Sequence, residues 1–335
     1  MKKKKIKAPF EGLRVLDLSR VLAGPYATMM LAEMGAEIIK IEMPVTGDDS
    51  RHFGPFINGK SGYFSSINRG KKSITLNLKK EEGLQVFREL LKTADIVVEN
   101  YRPGTTKKLG IDFEALKKIK KDIIYAACSG FGHSGPLSTF PAYDMIVQAM
   151  GGIMSITGEA GGQPVRVGTS VGDITAALFT VNGISAALYH REKTGEGAFI
   201  DVAMLDSQVA ILENAIVRYV TSGESPTPLG TRHPSITPFQ GFTTKDSHII
   251  IAAGNDRLWE ALCRALKREE LLDSEDYKTN DLRTENHDKL IPELEKTILG
   301  KTTQQWMDIL SDAKVPSSPI NDVSGVFANP QVKAR

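Results

Sequence analysis

Two aspartates stand directly before apolar helical stretches: Asp144 in PAYDMIVQAMGG and Asp173 in SVGDITAALF. A carboxylate there can cap the orphan amides of a helix start. It can also act as a nucleophile, because the helix dipole keeps it ionised and a neighbouring glycine such as Gly172 lets a ligand approach. The turn VLAGPYA, which opens a helix after the first strand, could present backbone amides to a phosphate or adenine, or it could be a plain βα turn. Two basic stretches, NRGKK (68–72) and NYRPGTTKKLG (100–110), each border a strand, where open α/β sheets bind ligands. They could hold a polyanion or simply be solvated loops.

Other chemistries lack their residues. There is no GxxxxGK[ST] and no GxGxxG after a strand, so phosphotransfer on a P-loop and dinucleotide redox chemistry lose their main signatures. The six histidines include no HExxH or paired spacing, which leaves no metal site, and no serine sits in GxSxG. Cys128 follows a strand and could be a thiol nucleophile or a packed side chain; it and Cys263 form no CxxC. A chain without a disulfide framework fits a reducing, cytoplasmic setting. With 42 basic and 40 acidic residues the net charge is +2, too balanced for nucleic-acid binding as the main activity. The lysine-rich start, Met1–Lys7, resembles a signal n-region, but Glu11, Arg14 and Asp17 interrupt the apolar run that should follow. The stretch Ile174–His190 falls short of a membrane span and contains Asn182 and Gly183, so it reads as a buried helix.

The elements that must position these residues alternate. Strands are expected at Leu13–Leu18, Ala36–Glu42, Ser73–Leu78, Ile96–Glu99 and Ile123–Ala127, with helices at Tyr26–Met34, Lys80–Thr93 and Phe113–Ile119. From Tyr143 the pattern turns helical, with Met145–Met154, Ile174–His190 and Met204–Val220. A Pro- and Gly-rich stretch, Ser222–Pro238, then leads to a smaller α/β region with a strand at Ile249–Ala253 and helices at Leu258–Leu266, Glu293–Leu299 and Thr303–Leu310. A length of 335 residues suits two domains.

The ordered motifs GLRVLDLSRVLAGPYATMMLAEMGAEIIKIE, GDDSR, INRGKKSITLNL, ADIVVENYRPGTTKKLG, SGFGHSGP, YDMIVQAMGGIMSITG and HREKTGEGAFIDVAM resemble, over essentially the whole chain, the class III (CaiB/BaiF-type) coenzyme A transferases. That family includes formyl-CoA and carnitine-CoA transferases and the α-methylacyl-CoA racemases. The stretch GTRHPSITPFQGFTTKDSHIIIAAGND is most similar to the branch that exchanges CoA among succinyl, glutaryl or hydroxymethylglutaryl groups. The resemblance implies an α/β protein. It would have a doubly wound, Rossmann-like large domain over 1–204, a helical linker over 205–224 and a small α/β domain over 225–335, assembled as an interlaced homodimer. Members usually continue several dozen residues beyond NPQV, a return segment expected to be absent here.

By the same resemblance Gly172-Asp173 occupies the catalytic Gly-Asp step, and acyl-CoA and carboxylate are substrates with no prosthetic group. Coenzyme A would meet Val21, Leu22, Leu76, Lys79, Asn100, Tyr101 and Lys108. Met43 and Pro141 replace basic residues of the formyl-CoA transferases, so Lys71, Lys72 or Arg102 would supply the charge for the phosphates. Tyr143 stands where racemases carry a catalytic histidine, which favours transfer over racemisation; a racemase and a non-catalytic CoA-binding module are the alternatives. The glycine-rich loop of the formyl-CoA transferases is replaced by His233–Gln240, and Arg166, Arg232 and His233 are candidates for a second substrate carboxylate.

Overall fold

Alternate residues of the first strand, β1 (Arg14–Asp17), belong to opposite layers, because Val15 joins one apolar cluster and Leu16 another. A strand's side-chain period of two makes this unavoidable in a sheet covered on both faces. This computed structural model describes residues 8–335, so the lysine-rich start lies outside the described residues. The chain divides into two units, one made of residues 1–157 and 164–226, the other of 158–163 and 227–335.

In the first unit, β1 is joined by β2 (Glu37–Glu42), β5 (Lys72–Thr75), β6 (Ile96–Glu99), β7 (Ile124–Ser129) and β8 (Ala198–Ala203), after a short hairpin of β3 (Phe56–Ile57) and β4 (Lys60–Ser61). The sheet runs β5-β2-β1-β6-β7-β8 with every pairing parallel. Chain order therefore reverses at β1 and β6, where parallel sheets open a crevice at the strands' carboxyl ends. Its helices are α1 (Ala23–Glu33), α2 (Gly62–Ile67), α3 (Glu81–Leu91), α4 (Thr105–Leu109), α5 (Phe113–Ile119), α6 (Asp144–Met150), α7 (Val171–Thr194), α8 (Met204–Ala210) and α9 (Asn214–Ser222). Ala27 and Leu31 of α1 with Ala177, Val181 and Ile184 of α7 cover one face, while Phe87 and Leu91 of α3 with Leu116 of α5 cover the other. Truncating a fully buried Leu31 or Leu91 to Ala would cost about 2–5 kcal/mol.

Several elements differ from the sequence expectation. β8 was not expected, because Asp201 interrupts its apolar run; it nevertheless pairs with β7 from Ala198 to Ala203. α7 extends to 24 residues, and its apolar stretch is seated in the core through Ala177, Val181, Ile184 and Ala187. The single helix expected over Met204–Val220 breaks into α8 and α9 at Glu213, whose φ is +47°. Both helices cluster with the first unit, so the stretch 205–224, expected as a linker, is part of that unit.

The second unit holds an antiparallel sheet of β9 (Phe239–Thr243), β10 (His248–Ala252) and β11 (Ser317–Pro319), in the order β11-β10-β9. Only β10 was expected; β9 contains a glycine and β11 is three residues ending in proline. Helices α10 (Asp256–Leu266), α11 (Asn280–Glu285), α12 (His287–Ile298) and α13 (Thr303–Asp312) follow, and α14 (Val323–Ala328) and α15 (Pro330–Ala334) end the chain. Trp259, Leu262, Leu290, Leu294 and Trp306 form its core.

Candidate active site

β1 ends at Asp17 and the chain must turn sharply into α1. Gly24 permits the turn, since a Cβ there would lie 2.2 Å from the Ser19 Cβ. Val21 takes φ +67°, a conformation that a β-branched residue adopts only when its surroundings impose it. No side chain caps α1 at Leu22, which leaves its first amides available.

One of them belongs to Ala23, which lines the same cavity as Asp173 and lowers the carboxyl of that aspartate. Asp173 sits in the first turn of α7, half-buried, and does not cap that helix. Burial pushes its carboxyl up and the charge of Asp144 adds to this; the Ala23 amide offsets part of it, leaving Asp173 at about 7. Capping falls to the other aspartate. Asp144 Oδ1 accepts the Gly172 N–H at 2.8 Å, and its Oδ2 accepts from Gln148 Nε2 at 2.7 Å. Gly172 does not open a path for a ligand, because a Cβ there would stand 2.7 Å from Val147 Cγ2 and 3.0 Å from Asp144 Oδ1. It is needed for the packing of α6 on α7.

Asp173, Ala23, Cys128, Tyr143, Val21 and Tyr101 line one cavity, with Arg20, Arg102 and Asn100 along it. Cys128 is buried, and burial raises its thiol to about 12, so it stays protonated at neutral pH and the nucleophile reading is not supported. Tyr143 is 75% exposed. Asn100 holds the β1–α1 turn by accepting from the Arg20 N–H at 2.9 Å and donating to the Arg20 carbonyl at 2.7 Å. Arg20, which sequence reasoning missed, pairs with Asp49 at 2.9 Å; the GDDSR motif carried that signal.

The other expected CoA residues are placed differently. Leu22 is buried, Leu76 packs against the core, and Lys79 and Lys108 are exposed away from the residues lining this cavity. Lys71 must be corrected. Its ammonium is enclosed and bonded to Asp17 Oδ2 (3.0 Å), the Pro25 carbonyl (2.8 Å) and Asn68 Oδ1 (2.8 Å), so all three donors are occupied and none can meet a phosphate. Lys72 is exposed on the edge strand β5 and pairs with Glu37 at 2.7 Å. Met43 and Pro141 are both exposed, and Pro141 lines the cavity. Arg166 is exposed and donates to the carbonyls of Val167 and Gly168. In the second unit, His233 stacks on Phe239 with ring centroids 5.2 Å apart, and Arg232 donates to the Thr284 carbonyl while its Nε has no partner. Among the described residues no cluster of His, Cys, Asp or Glu could hold a metal.

A cavity at the switch of a parallel sheet, lined by the Asp173 and Asp49 carboxylates and bordered by Arg20 and Arg102, suits an enzyme acting on an anionic substrate. The chain belongs to CoA-transferase family III, whose family model matches residues 10–335. It is 45% identical to an acetyl-CoA:oxalate CoA-transferase of Acetobacter aceti over 99% of this chain and 85% of that protein. To the succinyl-CoA:glutarate CoA-transferase of Homo sapiens it is 42% identical over 97% of this chain and 74% of that one. A CAIB/BAIF family protein from Brucella suis has a similar structure, with a TM-score of 0.88 and 40% identity over 98% of this chain and 88% of that one. The protein is therefore a CoA-transferase, and its homologues act on dicarboxylic acids.

Proposed function

We propose that the enzyme moves coenzyme A from a dicarboxylyl-CoA, with succinyl-CoA the leading donor, to a free carboxylic acid, using Asp173 as covalent nucleophile. The observation that carries this is the Asp173 carboxyl in the cavity that Ala23 also lines, with the competing thiol of Cys128 held protonated. The ionised Asp173 attacks the thioester carbonyl and expels CoA thiolate, which gives an aspartyl acyl anhydride. The thiolate attacks the aspartyl carbonyl of that anhydride, releasing the donor carboxylate and leaving an aspartyl-CoA thioester. The acceptor carboxylate attacks this thioester, forms a second anhydride and frees the thiolate again. Attack of the thiolate on the acceptor's acyl carbonyl yields the new acyl-CoA and restores Asp173. Each step exchanges one activated acyl bond for another, so no external energy source enters. The Ala23 N–H is placed to stabilise charge on oxygen as it develops at the aspartyl group.

Arg20 and Arg102 suit the anionic part of CoA, with Val21, Asn100 and Tyr101 along its path and Tyr143 beside the acyl group. Mixing dicarboxylyl-CoA donors with a panel of carboxylates and weighing the products tests the reading. Asp173→Asn must abolish the exchange.

The strand order, three-two-one-four-five-six by chain sequence within the parallel sheet, supports a Rossmann-like reading of the first unit. Exposed apolar side chains, among them Leu178 and Phe179 on α7 and Val217 and Val220 on α9, support their burial in a homodimer, which we take to be interlaced. The free, buried Cys128 and Cys263 support a cytoplasmic setting.

A further inference from the structure

The turn from β1 to α1 spans only Leu18, Ser19, Arg20, Val21 and Leu22, yet the side chains that hold it come from four separate places in the chain. The Ser19 amide donates to Asp17 Oδ1 at 2.9 Å, and the Ser19 carbonyl accepts from Lys40 Nζ at 2.7 Å. Asn100 takes both backbone groups of Arg20. The Val21 amide, at the strained residue, donates to Asp48 Oδ1 at 3.1 Å. Asp48 is 3% exposed, and its other oxygen pairs with Lys40 Nζ at 2.8 Å. Lys40 also lies 4.0 Å from Asp17, which further accepts from the Ser19 hydroxyl, from Thr28 at 2.7 Å and from Lys71 at 3.0 Å. On the outer side, Glu42 accepts the Asp48 N–H at 2.8 Å and the Arg51 guanidinium on both oxygens.

This construction exceeds what a tight turn needs. A left-handed valine returns to an extended conformation unless an anchor over-determines it, and the side-chain acceptor on its amide is Asp48. Relaxation of Val21 would rotate the following peptides, and two residues later comes Ala23, which with Val21 lines the same cavity as Asp173. Asp48 touches neither cavity nor nucleophile, but it fixes the backbone that does.

We infer that Asp48, seated on buried Lys40, is a positioning residue that holds Val21 in its left-handed conformation and so keeps the Ala23 amide aimed at the Asp173 carboxylate. The inference rests on the reading of Asp173 as nucleophile for its effect on turnover, but not for its effect on the Asp173 carboxyl itself.

Two variants test it. Asp48→Ala removes the anchor and strands the Lys40 charge; Lys40→Met combined with Asp48→Leu replaces the buried pair by apolar side chains of similar size, a change that folded proteins tolerate. In each, carboxyl-labelled aspartate followed by carbon-13 NMR gives the titration midpoint of Asp173, assigned by its absence in Asp173→Asn, alongside kcat, KM and Tm. Displacement of the Ala23 amide from the cavity it shares with Asp173 should raise the Asp173 midpoint by half a pH unit or more in both variants. We expect kcat to fall about tenfold with the acyl-CoA KM within twofold of wild type, and the apolar pair to show this with Tm close to wild type. An Asp173 midpoint equal to wild type in the folded apolar pair would overturn the inference, as would an equal midpoint in folded Asp48→Ala. If the wild type transfers no CoA, the proposed function fails, while the midpoint still decides the role of Asp48.

Discussion

Asp144 Oδ1 accepts the Gly172 amide hydrogen at 2.8 Å, so α7 is capped from a neighbouring helix, and Asp173, one residue further on, is left free to face the cavity. The two aspartates that look alike in sequence are thereby assigned different tasks. Asp144→Asn keeps an acceptor for Gly172 but removes a negative charge that lifts Asp173, so turnover should persist with its pH dependence moved to lower pH. Asp144→Ala loses the cap as well and should cost about 1 kcal/mol of stability. Thermal melts and pH–rate profiles of the two variants check this.

Asp173→Asn should fold and lose transfer. Incubating wild type with acyl-CoA and hydroxylamine should convert Asp173 to a hydroxamate, read by peptide mass, with Asp144 and Cys128 unmodified. A label on Cys128, or near wild-type transfer by Asp173→Asn, would remove Asp173 from its role.

The elevated Asp173 carboxyl makes two pH predictions. The attacking form is the anion, so kcat/KM should rise through about pH 7. Folded Asp173 holds its proton where the unfolded residue, titrating at 3.8, has released it, so between about pH 4 and 7 the unfolded state binds fewer protons and stability falls as pH rises. Asp173→Asn should therefore be more stable than wild type at pH 8, by about 2 kcal/mol after allowance for solvent at a half-buried group, with the difference vanishing near pH 4. Denaturant melts at the two pH values measure it.

We propose that Arg232 and His233 recognise the unreacted carboxylate of a dicarboxylate acceptor, since a cation and an imidazole suit that anion. Arg232→Ala or His233→Ala should raise KM for glutarate or succinate at least fivefold more than for a monocarboxylate of similar length. Equal effects on both acceptor types exclude the pair.

An interlaced dimer cannot separate without local unfolding, so mixed, differently labelled dimers should exchange subunits no faster than the protein unfolds. Exchange within minutes under native conditions would contradict interlacing.

Much of the architecture was legible because buried parallel strands and the helices between them carry strong apolar periodicity, as in LRVLDL and AEIIKIE. The second unit's sheet was not, since β9 and β11 are short, rich in Gly, Ser and Pro, and form by pairing with β10. At the site, the Gly-Asp step and the ENYR segment pointed to Asp173, Asn100, Tyr101 and Arg102, all found on one cavity. Lys71 was misread because charge in a sequence carries no sign of burial; only the fold brings Asp17, Asn68 and the Pro25 carbonyl around its ammonium. Asp48 escaped for the same reason, being one acid among several in GDDSR.

The enclosed charges of Asp17, Lys40, Asp48 and Lys71 also constrain how this sequence can drift. Neutralising any one of them strands an opposite charge in the interior, at about 3–5 kcal/mol against a total stability of about 5–15 kcal/mol. Single-step mutants at these four positions should therefore lose much of the protein's stability, and a second, compensating change should restore it. A library randomising the four codons together should return survivors in which acid and base are lost as pairs, so that the ancestry of this turn is inherited as a block.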